Sequence, residues 1–204
     1  MFAGPNHNSI MEKTAKDTPS FSPNSRQAWR QWLEANHRSQ QSVWLVYYKK
    51  KSGVPSISYS DAVDEALCFG WIDSTKKTID HETFTQFFCK RKPRSVWSTI
   101  NKEKVQRLTE AGLMTEAGYE SINIAQQNGS WIILDVAETL LIPEDLETAF
   151  EAHAGSKDFF LGLSKSTRKA ILQWLVLAKQ AATRQKRILE IAVLAGQGQK
   201  PKQF

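Results

Sequence analysis

The sequence predicts an α+β protein, with a small antiparallel sheet at about residues 42–91 packed by helices and an all-helical C-terminal half. Residues 42–50, SVWLVYYKK, are rich in the β-branched and aromatic residues that favour strands. Residues 71–79 and 83–92 flank a short polar connection, a pattern that predicts a β-hairpin. After residue 101 the apolar residues recur at helical spacing, which predicts helices only.

The helices are placed by their caps and by their apolar faces. A Ser-Pro pair supplies an N-cap and a first helical position for a helix over residues 23–37. Ser58 and Asp61 have the spacing of a capping box, and the helix that they open ends at Gly70. In the second half, helix starts are predicted at Asn101, Thr115, Pro143, Ser156 and either Ser164 or Ser166. The later stretch TRQKRILEIAVLAGQGQ either continues the preceding helix or forms a separate one.

Four segments follow from this pattern. Residues 1–21 are polar and predict a flexible tail, and residues 196–204 predict a tail that frays. Residues 22–135 form the predicted α+β core, which contains the motifs LCFGWID and KRKPRSVWSTIN. Residues 136–195 form a predicted helical module packed on that core.

The composition is that of an ordinary soluble protein, with 41% hydrophobic and 24% charged residues among 204. Cys68 and Cys89 form no CxxC pair and have no histidine at ligand spacing, so neither a zinc site nor a disulfide framework is expected. We expect both to be core thiols in a reducing compartment. No motif indicates a cofactor or another metal site.

The sequence contains no run of about 18 apolar residues, and its N-terminus has no apolar core of a secretory signal. We therefore expect a cytoplasmic protein without a membrane span. The net charge of +6 permits anionic partners without identifying one.

Five motifs occur in order along residues 22–195. They are WLEANH (32–37), LCFGWID (67–73), KRKPRSVWSTIN (90–101), AGLMTEAG (111–118) and WLVLAKQAATRQKRI (174–188). Together they resemble the YdeI/OmpD-associated family of bacterial proteins, which is also labelled bacteriocin-protection. The resemblance implies a role in bacteriocin or envelope-stress resistance, and it carries no catalytic residues over to this chain. Ser74 stands where the family pattern often has glycine, so the local turn departs from it.

Trp71 and Asp73 form the first candidate site. Residues two apart in a strand point to the same face, so this Trp and this carboxylate share one. If Ile72 faces the helices, Trp71 and Asp73 face either the solvent or a cleft. In a cleft, Trp71 would form a wall against a ligand and Asp73 would anchor its polar groups. The alternative is that Asp73 accepts backbone N–H bonds after Gly70 or pairs with a neighbouring lysine.

The segment CKRKPRSVWSTIN forms the second candidate site. Its cations lie next to a predicted helix start, whose free N–H groups suit a phosphate or carboxylate. The ligand-binding candidates here are Arg91, Arg94, Trp97, Ser98 and Asn101. The alternative is a solvated basic face with ordinary helix capping.

We therefore expect a cytoplasmic stress-resistance protein that binds a small anionic ligand in a cleft of Trp, Asp and Arg side chains. Asp73 is the one candidate for an acid or base, and no catalytic partner identifies a reaction, so the sequence does not decide whether the protein is an enzyme. The rival hypothesis is an interaction module that binds nucleic acid or an acidic protein through basic surfaces. Aromatic and basic residues alternate near Tyr47, Tyr48, Phe87 and Phe88, although the two members of each adjacent pair face opposite sides of a strand.

Overall fold

The computed structural model describes residues 18–204, so the first 17 residues of the predicted tail lie outside the described part. The chain divides into two compact units, which are described separately. The first unit comprises Met1–Lys92 and Lys104–Ser121, and the second comprises Pro93–Glu103 and Ile122–Phe204. The elements confirm the α+β class.

The first unit is built on a four-stranded sheet in the order β1-β2-β4-β3. The strands are β1 (Ser20–Phe21), β2 (Ser42–Tyr48), β3 (Trp71–Thr78) and β4 (Thr83–Lys90). β4 pairs antiparallel with both β2 and β3, as the sequence predicts, whereas β1 runs parallel to β2. The sequence had assigned β1 to the flexible tail. It is held at the edge because the Phe21 ring packs against Trp29 and Trp32, at centroid distances of 6.3 and 5.9 Å.

Helices α1 (Arg26–Asn36) and α2 (Tyr59–Cys68) cover one face of this sheet. From α1, Trp29 meets Phe88 at 5.6 Å and Trp32 meets Trp71 at 5.9 Å between ring centroids. α1 begins three residues later than predicted because Ser25, rather than Ser22, accepts the capping hydrogen bond from the Ala28 N–H. α2 is capped by Ser58, as its sequence predicts.

The strand register separates the two faces of the sheet. Val43, Leu45 and Tyr47 of β2 lie on the helix-covered face and are buried, together with Gln86 and Phe88 of β4. We call the opposite face the outer face, and it is formed by Trp44, Val46, Tyr48, Ile72, Lys77, Thr85, Phe87 and Cys89. Lys77 is exposed and the other seven are partly buried.

Helices α3 (Thr99–Glu110) and α4 (Glu116–Gln127) contribute residues to both units. Within the first unit, Gly118 of α4 lies against the end of α2, where an added Cβ would overlap the carbonyl oxygen of Cys68. Gly70 has φ +70°, and its own Cβ would come within 2.7 Å of the Ala117 carbonyl oxygen. Both glycines are therefore required for this close approach.

The second unit contains α5 (Asp135–Glu138), α6 (Glu144–Glu151), α7 (Ser156–Gly162), α8 (Lys165–Val176) and α9 (Ala181–Gly196). α6 follows Pro143 and α8 is capped by Ser164, as predicted, and the last apolar stretch forms a separate helix. The core of the second unit consists of buried residues from α5 to α9: Ala137, Leu146, Phe150, Phe160, Ile171, Leu172, Leu175, Ile188, Ile191, Ala192 and Ala195.

Two predictions for the second unit are wrong. Ser156 does not cap α7, because its hydroxyl is buried and donates to the carbonyl of Phe150 while Gly155 occupies the cap position. The end of the chain was expected to fray, but Pro201 is buried and the Phe204 ring packs 5.8 Å from that of Trp174. None of the helices within residues 18–204 combines the length and apolarity needed to cross a membrane.

Candidate functional site

The structure divides the predicted site residues between the two units. Trp71, Asp73 and Arg91 belong to the first unit. The second unit holds Arg94, Trp97, Ser98 and Asn101.

Trp71 and Asp73 do share one face of β3, because their register partners on β4 are Lys90 and Phe88. This face is the helix-covered one. Trp71 is fully buried and Ile72 lies on the outer face, which reverses the expectation that Ile72 faces the helices. Trp71 is therefore a core residue, and Asp73 lies at the edge of the same core.

Asp73 is held by side chains from two other elements. The hydroxyl of Tyr59, in the first turn of α2, donates to Asp73 Oδ2 at 2.7 Å. Gln86 Nε2 donates to the same oxygen at 3.1 Å and to the Ser74 carbonyl at 2.9 Å. Within residues 18–204, Asp73 Oδ1 accepts no hydrogen bond. The fold thus fixes one oxygen of the Asp73 carboxylate.

The Gln86 bridge also holds an irregularity in the sheet. The pairing of β3 with β4 shifts between Asp73 and Lys76, which is a β-bulge. Bulges bend a strand and turn its side chains, and they are frequent beside functional sites. Because Gln86 is 4% exposed, its amide fixes the position of Asp73 from within the core.

Tyr47 lies on the same face and is almost entirely buried, with 2% exposure. Its ring stacks on Phe84 with a centroid distance of 4.8 Å, and its hydroxyl finds no hydrogen-bond partner in the described part of the chain. Burial raises the pKa of Tyr47, and the charge of Asp73 raises it further. The Tyr47 hydroxyl therefore remains a neutral donor.

A second buried donor on this face is unsatisfied. The indole Nε1–H of Trp71 also meets no acceptor within residues 18–204. A buried polar group without a partner costs about 1–3 kcal/mol, so such groups are uncommon in folded proteins. Tyr47 and Trp71 thus supply two uncompensated donors on the face that carries Asp73.

Arg91 follows β4 and is anchored through its backbone N–H, which donates to the Gly70 carbonyl at 2.9 Å. Burial lowers the pKa of its guanidinium to about 10, and the Asp73 carboxylate partly offsets that effect. The group remains cationic at neutral pH. The first unit therefore combines a partly buried cation with Asp73, Tyr59, Gln86 and the two buried donors. We call Tyr47, Tyr59, Trp71, Asp73, Gln86 and Arg91 the Asp73 cluster.

The second-unit residues have mostly structural contacts. Ser98 Oγ accepts the Asn101 N–H at 3.3 Å, so Ser98 caps α3 and Asn101, the predicted cap, lies inside the helix. Trp97 is buried against Trp131 at 4.8 Å. Arg94 is exposed.

Sequence reasoning missed two buried acidic residues in α2. Glu65 pairs with Arg26 at 2.5 Å and with Arg30 at 2.8 Å. Asp64 pairs with Lys104 and Arg107, and those bonds lower its pKa although burial acts in the opposite direction. The available signal was an Asp-Glu pair inside an apolar helical run, AVDEAL. Because all their cations are in place, these acids stabilise the helix packing.

Both cysteines are free thiols; Cys68 is buried and Cys89 is partly buried. Within residues 18–204, no group of three or more His, Cys, Asp and Glu side chains is arranged to hold a metal ion.

The structure is that of an α+β protein with the sheet and the Asp73 cluster in its first unit and a helical second unit. Residues 139–198 match the family described as Bacteriocin-protection, YdeI or OmpD-Associated. This match supports the resemblance to that family over these residues, which contain the last of the five motifs, WLVLAKQAATRQKRI. Residues 21–121 match a domain of unknown function, DUF8412. No curated protein and no solved structure gives a significant match to the chain.

Proposed function

We propose that the Asp73 cluster binds a small anionic ligand, a phosphate or a carboxylate that also carries a hydroxyl or amino group. The observation that carries this proposal is the buried, unsatisfied hydroxyl of Tyr47, which lies on the same face as Asp73 and is reached by the charge of that carboxylate. An acceptor oxygen of a ligand would satisfy this donor and remove its energetic cost.

The charges of the cluster support the same ligand class. Arg91 supplies a partly buried positive charge, which attracts an anion more strongly than an exposed one would. Asp73 would repel a bare anion, but its free Oδ1 accepts a hydrogen bond from a hydroxyl or ammonium group. A sugar phosphate, a hydroxy acid or an amino acid combines both features.

We further propose that this binding serves resistance to bacteriocins or envelope stress inside a bacterial cell. The description of the family that matches residues 139–198 names bacteriocin protection, and it supports this role. Asp73 would act on the ligand as an acid or base if the ligand is turned over.

The experiment is a thermal-shift screen with inorganic phosphate, sugar phosphates, hydroxy acids and amino acids. A ligand at about 100 times its Kd stabilises the protein by roughly 2.7 kcal/mol. For a chain of this size we expect the Tm to rise by about 5–10 °C. Asp73→Asn and Tyr47→Phe should each abolish most of that rise.

Tyr48→Phe is the matched control, because Tyr48 is the next residue of β2 and lies on the outer face. It should bind as the parent does. Equal shifts in the parent, the Tyr47→Phe variant and the control, or no shift with any compound in the screen, would contradict the proposal.

A further inference from the structure

The outer face of the sheet carries aromatic side chains that none of the helices described in the first unit buries. Trp44 of β2 and Phe87 of β4 are register partners, with ring centroids 4.9 Å apart. Tyr48 lies four residues further along β2 on the same face. All three are partly exposed, whereas Tyr47 and Phe88, their neighbours on the helix-covered face, are buried. The aromatic surface is therefore accessible.

A cation already occupies this surface. Lys77 Nζ lies 4.5 Å from the centroid of the Trp44 ring, a cation–π contact. Lys77 itself is exposed, so its ammonium can leave the ring for a neighbouring phosphate when another flat group stacks on Trp44. The Trp44 ring and the Lys77 ammonium are thus neighbours. A nucleotide needs this arrangement, because its base would stack on the ring while its phosphate pairs with the cation.

The charge on this face has one sign. β2, β3 and β4 contain one carboxylate, Asp73, and it lies on the helix-covered face. Burial raises the pKa of the Cys89 thiol, and the charge of Lys92, which follows β4, opposes that rise. The charges of Arg91 and Asp73 also reach this thiol with opposite signs, but both residues belong to the Asp73 cluster. Lys77 and Lys92 therefore give the surface a positive charge that attracts a negatively charged partner.

We propose that the outer face binds single-stranded nucleic acid, with bases stacked on Trp44 and Phe87 and phosphates paired with Lys77. Bases stack on aromatic side chains while nearby cations meet the backbone, and such binding tolerates many sequences. The carboxylates of an acidic protein segment would pair with the cations, but they would not stack on the rings as every nucleotide base can. Nucleic acid is favoured because its bases complement the aromatic rings and its phosphates complement the positive charge.

This site is independent of the Asp73 cluster, which lies on the opposite face of the sheet. Failure of one proposal therefore leaves the other intact. The test uses the full chain and fluorescein-labelled oligomers of deoxythymidine and uridine, with binding followed by fluorescence anisotropy at low salt. A duplex of equal length and a polyglutamate peptide are measured beside them.

We expect both single strands to bind more tightly than the duplex and the peptide. Trp44→Leu and Phe87→Leu should each weaken binding by roughly 5- to 150-fold, the effect of losing one stacked base. Lys77→Gln should weaken binding and make the plot of log K against log salt shallower by about 0.7, the value for one phosphate contact.

The matched control is the equivalent pair on the other face, where Lys76 Nζ lies 4.2 Å from the Phe84 ring. Lys76→Gln and Phe84→Leu should leave oligonucleotide affinity within about twofold of the parent. Circular dichroism verifies that each variant is folded. The proposal is overturned if single strands do not bind, if duplex or polyglutamate binds as tightly, or if Trp44→Leu and Phe87→Leu behave like the controls.

Discussion

The Tyr59 hydroxyl donates a 2.7 Å hydrogen bond to Asp73 Oδ2, which joins the first turn of α2 to strand β3. Burial raises the pKa of Tyr59 to about 12, and the bond to Asp73 contributes to the rise. The bond therefore needs the protonated phenol. It also fixes the position of Asp73, the one carboxylate of strands β1 to β4.

A first prediction concerns alkaline pH. The folded pKa of Tyr59, about 12, lies above the unfolded value of about 10, so its contribution is fully present below pH 10 and is lost as pH rises towards 12. Tyr59→Phe should lower the free energy of unfolding at pH 7 by about 1 kcal/mol, because Tyr59 is half exposed. Urea denaturation at pH 7 and pH 11 measures both effects.

Tyr48→Phe is the control for this experiment, since no side chain in the described part of the chain accepts a hydrogen bond from the Tyr48 hydroxyl. It should leave stability nearly unchanged at both pH values. A Tyr59→Phe variant as stable as the parent at pH 7 would show that the bond to Asp73 contributes nothing measurable.

A second prediction separates Tyr47 from Tyr59, although both lie in the Asp73 cluster. Tyr47→Phe removes a buried hydroxyl that has no partner within residues 18–204 and leaves the stacked ring against Phe84. We expect the ligand-free protein to gain about 1 kcal/mol, because the desolvation cost of the hydroxyl disappears. Urea denaturation without added ligand measures the change, and a loss of stability would mean that the hydroxyl is satisfied, for example by a buried water.

The sequence located Asp73 but not the side chains that surround it. A period of two places Trp71 and Asp73 on one face, and the turn at Gly70 marks the start of the strand. The period does not say which face the helices cover, so the burial of Trp71 was not predictable. Tyr59 and Gln86 reach Asp73 from elements 14 and 13 residues away in the chain, a relation that only the folded sheet determines.

The short elements were the least predictable. Strand β1 has two residues, which is too few for a periodic signal, and its position depends on packing of Phe21. At α3, Ser98 and Asn101 are both good capping residues, and the fold selects the earlier one. Local chemistry permitted both starts, and tertiary packing decided between them.

A third prediction concerns acid pH and the buried carboxylate of Asp64. Its bonds to Lys104 and Arg107 lower its folded pKa below the unfolded value near 3.9, although burial opposes this. The stabilisation is therefore fully present above about pH 4 and is lost as pH falls through the folded pKa. At pH 7, Asp64→Asn should cost about 1–3 kcal/mol, since both cations can still reach water.

Denaturant titrations between pH 2 and pH 7 measure this dependence. The difference between parent and Asp64→Asn should shrink below pH 4. Glu34→Gln is the control, because Glu34 pairs with Arg30 at 3.3 Å on the surface with its side chain 55% exposed. It should change stability by less than about 1 kcal/mol. Equal effects of the two substitutions would show that burial of Asp64 adds nothing.

A fourth prediction tests the close approach of α4 to the end of α2. A Cβ at Gly118 would overlap the carbonyl oxygen of Cys68 and come within 2.7 Å of the Met114 methyl group. The Met114 side chain can move aside, but the Cys68 carbonyl belongs to the backbone and cannot. The helix α4 and the end of α2 must therefore move apart. Gly118→Ala should therefore lower the free energy of unfolding by about 1–3 kcal/mol, the usual cost of overpacking.

The matched control is Gly162→Ala, at a helical glycine where an added Cβ meets nothing within 4 Å. It should raise stability by up to about 1 kcal/mol, because alanine restricts the unfolded chain without a clash. Differential scanning calorimetry measures both changes, with about 2–4 °C expected for each kcal/mol. If Gly118→Ala matches or exceeds the parent in Tm, the two helices have room to separate at no cost, and the glycine is not required for the packing.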